Sequence, residues 1–283
     1  MLLEKFNPVI PAGDDGFSAE EAGLWTLRKN QIIHHYLRVF TGTMKRKFNY
    51  LVYLDLFSGS GLKRIDKSQF TYGSPVLALD DSNAFSKYIF CERDPANFDA
   101  LRVRVNKYYR NKNVVVFNGD PNRMIDRIEY YIPDSTKKHK VSTFCIVDPF
   151  SLDIEFETIR LLSEIGVNFL FLIALPWKEK NEYKRCLNEE RELLNAFLGM
   201  PFSEVLNDGQ VNSNEVFFRN LVKSYHQNLK SLGYMASGSF YKIEESDLSV
   251  PFFFAGYYSS TRDTRKIHSE VLKKVVQQVR LFD

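Results

Sequence analysis

The chain has 283 residues, of which 44% are hydrophobic and 26% are charged. This composition is typical of a globular protein and argues against a disordered or collagen-like chain. The formal net charge is only +3 with both signs interspersed, so the overall charge does not indicate nucleic-acid binding. A local basic surface is not excluded by this balance. Aromatic residues make up 14% of the chain, which favours an aromatic-rich core over a base-stacking surface.

Cysteine and histidine usage argues against a metal site. Cys91, Cys145 and Cys186 are far apart in sequence, no C-x-x-C pair occurs, and the five histidines show no ligand spacing. Residues 1–20 contain no apolar signal-peptide segment, and no apolar run approaches the length of a membrane span. We therefore expect reduced thiols, no metal, no membrane association and a cytoplasmic location.

The first predicted element is a helical lead over about residues 18–40. Ser18 followed by Glu20 and Glu21 is typical of a helix start, because acids in the first turn complement the helix dipole. Apolar residues then recur at helical spacing.

Apolar runs alternate with helical patterns through the middle of the chain. Strands are predicted at residues 50–56, 87–91, 113–117, 142–147 and 168–174. A charged helical insertion follows at about 178–214, and a closing pair of strands is predicted at 234–243 and 250–258. This order predicts an α/β fold with a doubly wound, mostly parallel seven-stranded sheet and one antiparallel strand. It resembles the Rossmann-like class I methyltransferase fold, in a single domain over residues 1–283.

The segment LVYLDLFSGSG at residues 51–61 predicts a buried strand that ends in a glycine loop. Gly59 and Gly61 permit positive φ and let a ligand approach the backbone closely. Arg64 stands where the third glycine of the dinucleotide fingerprint would fall, which disfavours NAD and leaves S-adenosyl-L-methionine (SAM) as the expected cofactor. The next helix signal, Ser74-Pro75, comes about a dozen residues later, so we expect the intervening loop to fold over the ligand.

Acidic residues end four successive predicted strands: Asp55, Glu92, Asp120 and Asp148. In a parallel sheet they share the carboxyl edge, where ligands bind. Asp55 would lie near the amino acid part of SAM, Glu92 would accept from the ribose hydroxyls, and Asp120 would accept from the adenine amine. A helix cap is the alternative for each acid. The expected cofactor-binding residues are Asp55, Phe57, Gly59, Gly61, Glu92, Asp120, Pro121 and Asn122.

Asp148, Pro149 and Phe150 are the candidate catalytic residues. The carboxylate and its neighbouring carbonyl can accept hydrogen bonds from a planar amine, Phe150 can stack on the ring, and proline stiffens the turn. Such positioning supplies most of what a methyl transfer needs. A helix-capping Asp-Pro turn is the alternative. The triplet is similar to the D-P-P-[YFW] motif of adenine amino methyltransferases and closer to the D-P-F of some tRNA guanine methyltransferases.

The order of motifs also resembles the three-Cys-motif partner family (TcmP). The resemblance is carried by Leu24-Trp25-Thr26, Lys29, Tyr36, residues 53–61, Gly73-Ser74-Pro75, Ala78-Leu79, Glu92, residues 119–122 and residues 148–150. Ser58, Ser60 and Ser151 depart from the family pattern. The resemblance implies a SAM methyltransferase-like protein and a three-Cys-motif partner protein.

Two functions remain open from the sequence. The first is a methyltransferase acting on a ring amine of a nucleobase or related heterocycle, with a nucleic acid or nucleoside-like substrate. The second is a non-catalytic SAM-binding module within a partner complex. Residues 137–140 form a basic turn. In the insertion, Lys178, Lys180, Lys184 and Arg185 could contact phosphate or form a solvated helix face.

Overall fold

The computed structural model describes residues 9–11, 15–23, 25–65, 69–81, 85–149, 151–175, 182–204, 211, 213–242 and 252–279. Within these residues the strands are β1 (Val9–Pro11), β2 (Glu20–Glu21), β3 (Tyr50–Asp55), β4 (Leu62–Arg64), β5 (Gln69–Tyr72), β6 (Lys87–Glu92), β7 (Val114–Asn118), β8 (Val141–Val147), β9 (Asn168–Leu175), β10 (Met235–Lys242) and β11 (Phe252–Ser259). The helices are α1 (Trp25–Met44), α2 (Ser74–Asp80), α3 (Pro95–Tyr108), α4 (Ile125–Tyr131), α5 (Phe156–Glu164), α6 (Glu182–Glu189), α7 (Arg191–Leu198), α8 (Asn214–Ser231) and α9 (Thr264–Val279).

Seven strands form one sheet in the order β10-β11-β9-β8-β3-β6-β7. The β3–β6 and β6–β7 pairs are parallel, whereas β11 runs antiparallel to both β9 and β10. Counted in chain order, the strands lie in the order 3-2-1-4-5-7-6 with the seventh reversed. That is the order of the Rossmann-like class I methyltransferase fold, and it confirms the predicted fold class. Strand order reverses at β3, so this is the switch point where open α/β sheets bind ligands.

The central strands are buried because helices cover both faces of a parallel sheet. Residues 51–55 of β3 are at most 2% exposed. The twelve largest fully buried side chains among the described residues are all tyrosine or phenylalanine, so the aromatic richness of the sequence serves the core.

The chain forms two compact units. The first comprises the described parts of Met1–Asp120, Tyr131–Phe144 and Lys266–Asp283. The second comprises the described parts of Pro121–Tyr130 and Cys145–Arg265.

Each unit has its own aromatic cluster. In the first, the ring of Phe144 lies 4.8 Å from that of Phe40, centroid to centroid, and Tyr53 packs against Phe85 at 5.4 Å. In the second, Tyr225 stacks on Phe197 at 4.4 Å.

The N-terminal lead differs from its prediction. The helix begins at Trp25 and runs to Met44, rather than covering about residues 18–40. Glu20–Glu21 instead form β2, which pairs in parallel with β4. Glu20 lies 3.8 Å from Lys63 Nζ, and Glu21 lies 3.7 Å from Arg64 Nη1. The charges of the two acids are therefore engaged by cations of β4, which are distant in sequence, and not by a helix dipole.

The segment after the glycine loop is also more regular than predicted. β4 and β5 form an antiparallel hairpin within a four-stranded sheet of order β1-β5-β4-β2, where the sequence predicts a loop. The predicted helical insertion after β9 is confirmed by α6 and α7.

Candidate functional site

The glycine loop follows β3 in the first unit. Gly59 has φ of +62° and Gly61 has φ of +85°, a left-handed conformation that side chains with a Cβ rarely adopt. A Cβ on Gly61 would lie 3.1 Å from Leu101 Cδ1. The carbonyl of Gly61 accepts from Gly73 N at 2.8 Å, which closes the β4–β5 hairpin beside the loop. The two glycines are therefore required by backbone conformation and by close packing.

Glu92 ends β6 and holds the glycine loop. Its side chain is buried, and its two oxygens accept from Gly59 N at 2.6 Å and from Asp94 N at 2.7 Å. Burial raises the pKa of Glu92 above its usual value, and the nearby Glu20 charge adds to the rise, while the two backbone donors oppose it. Each carboxylate oxygen can accept a second hydrogen bond, so the group retains acceptor capacity for a ligand hydroxyl.

Asp55 shapes the entry to the loop. It is fully buried, and its carboxylate accepts from Tyr53 Oη at 3.0 Å and from Phe57 N at 3.2 Å. The bond to Phe57 is an Asx-type turn that bends the chain out of β3. Phe57 itself is half-buried. Asp55 thus has a structural task at the site, and its predicted contact with SAM stays a prediction.

Sequence reasoning missed Glu20, which lies over the glycine loop. A Cβ on Gly59 would collide with Glu20 Oε2. That buried oxygen accepts no hydrogen bond from a described residue, and Lys63 Nζ lies 3.8 Å from it. No local signal could have found this residue, because β2 reaches the loop only through its pairing with β4.

Arg104 fixes the segment that precedes Glu20. Its guanidinium is 3% exposed and donates two hydrogen bonds of 2.7 Å to the Asp15 carboxylate. Nη1 also donates to the carbonyls of Ser18 at 2.9 Å and Ser60 at 2.6 Å. One buried side chain therefore connects the N-terminal segment to the glycine loop.

The turn after β7 lies beside Glu92. Asn118 Nδ2 and Gly119 N both donate to the Glu92 carbonyl at 3.0 Å. Asp120, which follows, is half-buried. Its predicted contact with the adenine amine is consistent with this position but stays a prediction.

In the second unit, Pro121 is buried and starts a short 3₁₀ helix that contains Asn122. The Asn122 amide donates to the Asp153 carbonyl at 2.7 Å and accepts from Glu155 N at 3.0 Å and from Thr158 Oγ1 at 2.8 Å. These contacts join Asn122 to the start of α5. The roles predicted for Pro121 and Asn122 against the adenine ring remain predictions.

Asp148 and Pro149 directly follow β8. Asp148 is half-buried and Pro149 is buried. Phe150 lies outside the described residues, so its predicted stacking role is untested. The Ser151 hydroxyl donates to Asp153 Oδ1 at 2.8 Å, which is a local turn contact.

Arg185 in the insertion is engaged by acids. It forms ion pairs with Glu182 and, at 2.6 Å, with Glu190. Exposed pairs of this kind contribute little to stability, so the phosphate contact of Arg185 and its alternative, a solvated helix face, both stay predictions. Lys184 lies 5.8 Å from the Tyr183 ring centroid, and Lys178 and Lys180 lie outside the described residues.

Cys91, Cys145 and Cys186 are free and buried. No group of three His, Cys, Asp or Glu side chains among the described residues is arranged to hold a metal ion. Of the helices in the described part of the chain, none combines the length and hydropathy needed to cross a membrane.

No family model matches the chain, and no curated protein matches it significantly. Among solved structures, protein LPL1258 from Legionella pneumophila strain Philadelphia 1, of family model DUF519, is similar at a TM-score of 0.51 and 11% identity. The match covers 87% of this chain and 91% of that one. An O-methyltransferase from Bacillus cereus in complex with SAH has a TM-score of 0.45 and 11% identity, and the match covers 86% of this chain and 84% of that one. The Legionella likeness shows a shared fold.

Proposed function

We propose that the chain is a SAM-dependent methyltransferase that transfers a methyl group to a ring amine of a nucleobase or related heterocycle. The observation that carries the proposal is the Glu92 carboxylate, buried at the end of β6 and hydrogen-bonded to Gly59 N at 2.6 Å. The carboxylate can accept hydrogen bonds from two neighbouring ribose hydroxyls, and the glycine lets the ligand approach the backbone closely. Both belong to neighbouring strands at the sheet's switch point.

The cofactor is expected to be held by Gly59, Gly61 and Glu92, with Asp55 and Phe57 forming the loop around its amino acid part. Asp120, Pro121 and Asn122 are proposed to receive the adenine. When bound, SAM supplies an electrophilic methyl group on a sulfonium ion. The rest of catalysis is positioning, which we assign to this chain's own side chains.

Calorimetric titration with SAM and with S-adenosylhomocysteine tests the cofactor. We expect wild-type protein to bind both, and Glu92→Gln to bind at least about tenfold more weakly, since the neutral amide is a weaker acceptor for ribose hydroxyls. Glu129→Gln is the matched control, because Glu129 is exposed on α4, and it should bind like wild type. Failure of the wild type to bind either compound would remove the cofactor assignment.

Asp148 is proposed to orient the acceptor. Its carboxylate would accept a hydrogen bond from the planar amine and so align the nitrogen lone pair with the methyl group. As the methyl group is transferred, the carboxylate would take up the proton that the methylated nitrogen releases and would pass it to water. Pro149 would stiffen this turn, and Phe150 would stack on the ring. The similarity of the triplet to the D-P-F of tRNA guanine methyltransferases supports a nucleobase.

Substitution of Asp148 tests this role. We expect Asp148→Ala to lower methyl transfer to a nucleobase acceptor at least about a hundredfold, within the range of lost positioning and acid–base effects. SAM affinity should change less than about twofold. Asp148→Asn keeps an acceptor oxygen and should retain more activity than Asp148→Ala. Normal turnover in Asp148→Ala would contradict the assignment.

The resemblance to TcmP proteins supports a three-Cys-motif partner protein, and the three buried free thiols support a reducing, cytoplasmic setting. Methyl transfer by the purified chain alone would exclude a purely non-catalytic role. SAM binding without transfer to any nucleobase acceptor would favour the partner-bound module instead.

A further inference from the structure

A second charged feature lies at the opposite end of β3 from the glycine loop. A groove of about 320 Å³ is lined by Lys45, Arg46, Lys47, Phe48, Asn49, Lys137, Lys138 and Lys140. We call this feature the basic groove. Its two segments follow α1 and precede β8, and both belong to the first unit.

Asn49 holds the two segments together. Its side chain donates to the Lys138 carbonyl at 3.0 Å and accepts from Lys140 N at 2.7 Å. Asn49 N and Tyr50 N both donate to the Lys140 carbonyl at 3.1 Å. Four hydrogen bonds thus fix the backbones of two segments that are about ninety residues apart in sequence, so the groove is a built feature and not a chance approach of two loops.

The charge of the groove is concentrated and of one sign. All six cationic side chains are exposed, and none of the described residues that line the groove is acidic. None of Lys45, Arg46, Lys137, Lys138 and Lys140 forms an ion pair with an acid in the part of the chain that the structure describes. The chain's formal net charge is only +3, so the six cations leave the remainder net negative. Like charges this close repel one another, and a bound polyanion would relieve the repulsion.

We propose that the basic groove binds the phosphodiester backbone of a nucleic acid. Exposed cations from two chain segments line one groove, and such a cluster can neutralise consecutive phosphates along a strand. The groove lacks the apolar face with which an interfacial amphipathic helix enters a membrane, and a purely electrostatic contact with anionic lipid is an outcome of the test below. The lining here holds one apolar residue, Phe48, and it is half-buried.

The location gives the groove a positioning role. β3 has six residues, so its ends are about 20 Å apart. The groove lies before Tyr50 and the glycine loop lies after Asp55. Phosphates bound there would add affinity without reading sequence. This inference rests on the proposed function only in taking the polymer as the substrate, and it selects a nucleic acid over a free nucleoside.

Charge reversal tests the groove. Binding of a fluorescein-labelled single-stranded RNA is followed by anisotropy at several salt concentrations, for wild type and for Lys137→Glu/Lys138→Glu. We expect the variant to bind at least about tenfold more weakly. The slope of log K against log salt should become shallower by about 0.7 for each phosphate that the variant no longer neutralises. The control, Lys223→Glu/Lys266→Glu, makes the same change of net charge on exposed lysines of α8 and α9 and should bind within about twofold of wild type.

Several outcomes would overturn the proposal: a flat salt response of wild type, an equal loss of affinity in the control, or groove-dependent binding to vesicles of phosphatidylcholine and phosphatidylserine with no binding to RNA. SAM titration of the same variants separates this inference from the proposed function. Groove-dependent RNA binding by a chain that binds no SAM would support the groove and reject the methyltransferase. SAM binding and methyl transfer, together with RNA binding that does not depend on the groove, would support the methyltransferase and reject the groove.

Discussion

Gly59 combines a φ of +62° with a neighbour, Glu20, that occupies the space of its missing Cβ. The Glu20 carboxylate is the far end of a flexible, half-exposed side chain, so it can move aside at low cost. Backbone strain therefore dominates, and we expect Gly59→Ala to lower the free energy of unfolding by about 1–2 kcal/mol in urea denaturation. Adding Glu20→Ala should recover only a small part of that loss.

Gly42 supplies the matched control for this substitution. It lies in α1, and apart from the neighbouring helix backbone no heavy atom lies within 4 Å of the position that a Cβ would occupy there. Gly42→Ala should therefore raise the free energy of unfolding, by up to about 1 kcal/mol, because alanine is the better helix former. Equal effects of the two substitutions would contradict the strain argument.

The Glu92 carboxylate makes the proposed cofactor site sensitive to pH. Burial raises the pKa of Glu92 in the folded protein, so between its unfolded and folded values the native state binds the extra proton, and stability falls as pH rises through that interval. Ribose hydroxyls donate better to the ionised form. SAM affinity should therefore weaken on acidification through the folded-state pKa, and calorimetry across that range should find a much flatter profile for Glu92→Gln.

At the scale of elements, the N-terminal segment is held by one buried ion pair. Arg104 and Asp15 are 3% and 15% exposed in their side chains. Asp15→Asn leaves the guanidinium without a charged partner, and we expect it to lower the free energy of unfolding by about 3 kcal/mol. Asp99→Asn is the control, because Asp99 pairs with Arg102 on the exposed face of α3 and should lower it by less than about 1 kcal/mol.

The same pair predicts a pH dependence of known sign. Hydrogen bonding to Arg104 holds the pKa of Asp15 below its usual value. Its contribution to stability is therefore complete above the unfolded pKa of about 3.9 and is lost as pH falls through the lower folded value. Urea unfolding at acidic pH should show a smaller loss of stability for Asp15→Asn than for wild type. If acidification lowered the free energy of unfolding equally in both proteins, the Arg104–Asp15 pair would contribute little to stability.

These contacts explain which elements sequence reasoning can and cannot find. β3, β6 and the glycine loop carry local signals, namely an apolar run, a terminal acid and two glycines, and the sequence predicts them to within a residue or two. The predicted helix start at Ser18 is wrong because Glu20 and Glu21 obey a local capping rule, whereas their charges are engaged by β4. Local patterns do not reveal a partner that comes some forty residues later.

At the scale of the whole molecule, alternation of strands and helices is enough to predict the sheet, including its reversed strand. The pairing of β1 and β2 with the β4–β5 hairpin carries no such signal, because these strands have two to four residues each and no apolar periodicity. The basic groove is visible only in part. The cations at residues 137–140 are evident in the sequence as a basic turn, but their approach to Lys45–Lys47 depends on Asn49.

The glycine loop and the basic groove, which both belong to the first unit, should act independently in binding. They lie about 20 Å apart along β3, more than twice the screening length of about 8 Å at physiological salt. Energetic coupling would then require a conformational change that both ligands bias. We expect the SAM dissociation constant to change less than about twofold when Lys137 and Lys138 are reversed or when saturating RNA is present. A tenfold change in calorimetry would instead indicate that RNA binding rearranges the strand's far end, and the RNA dissociation constant should then change by the same factor when SAM is bound.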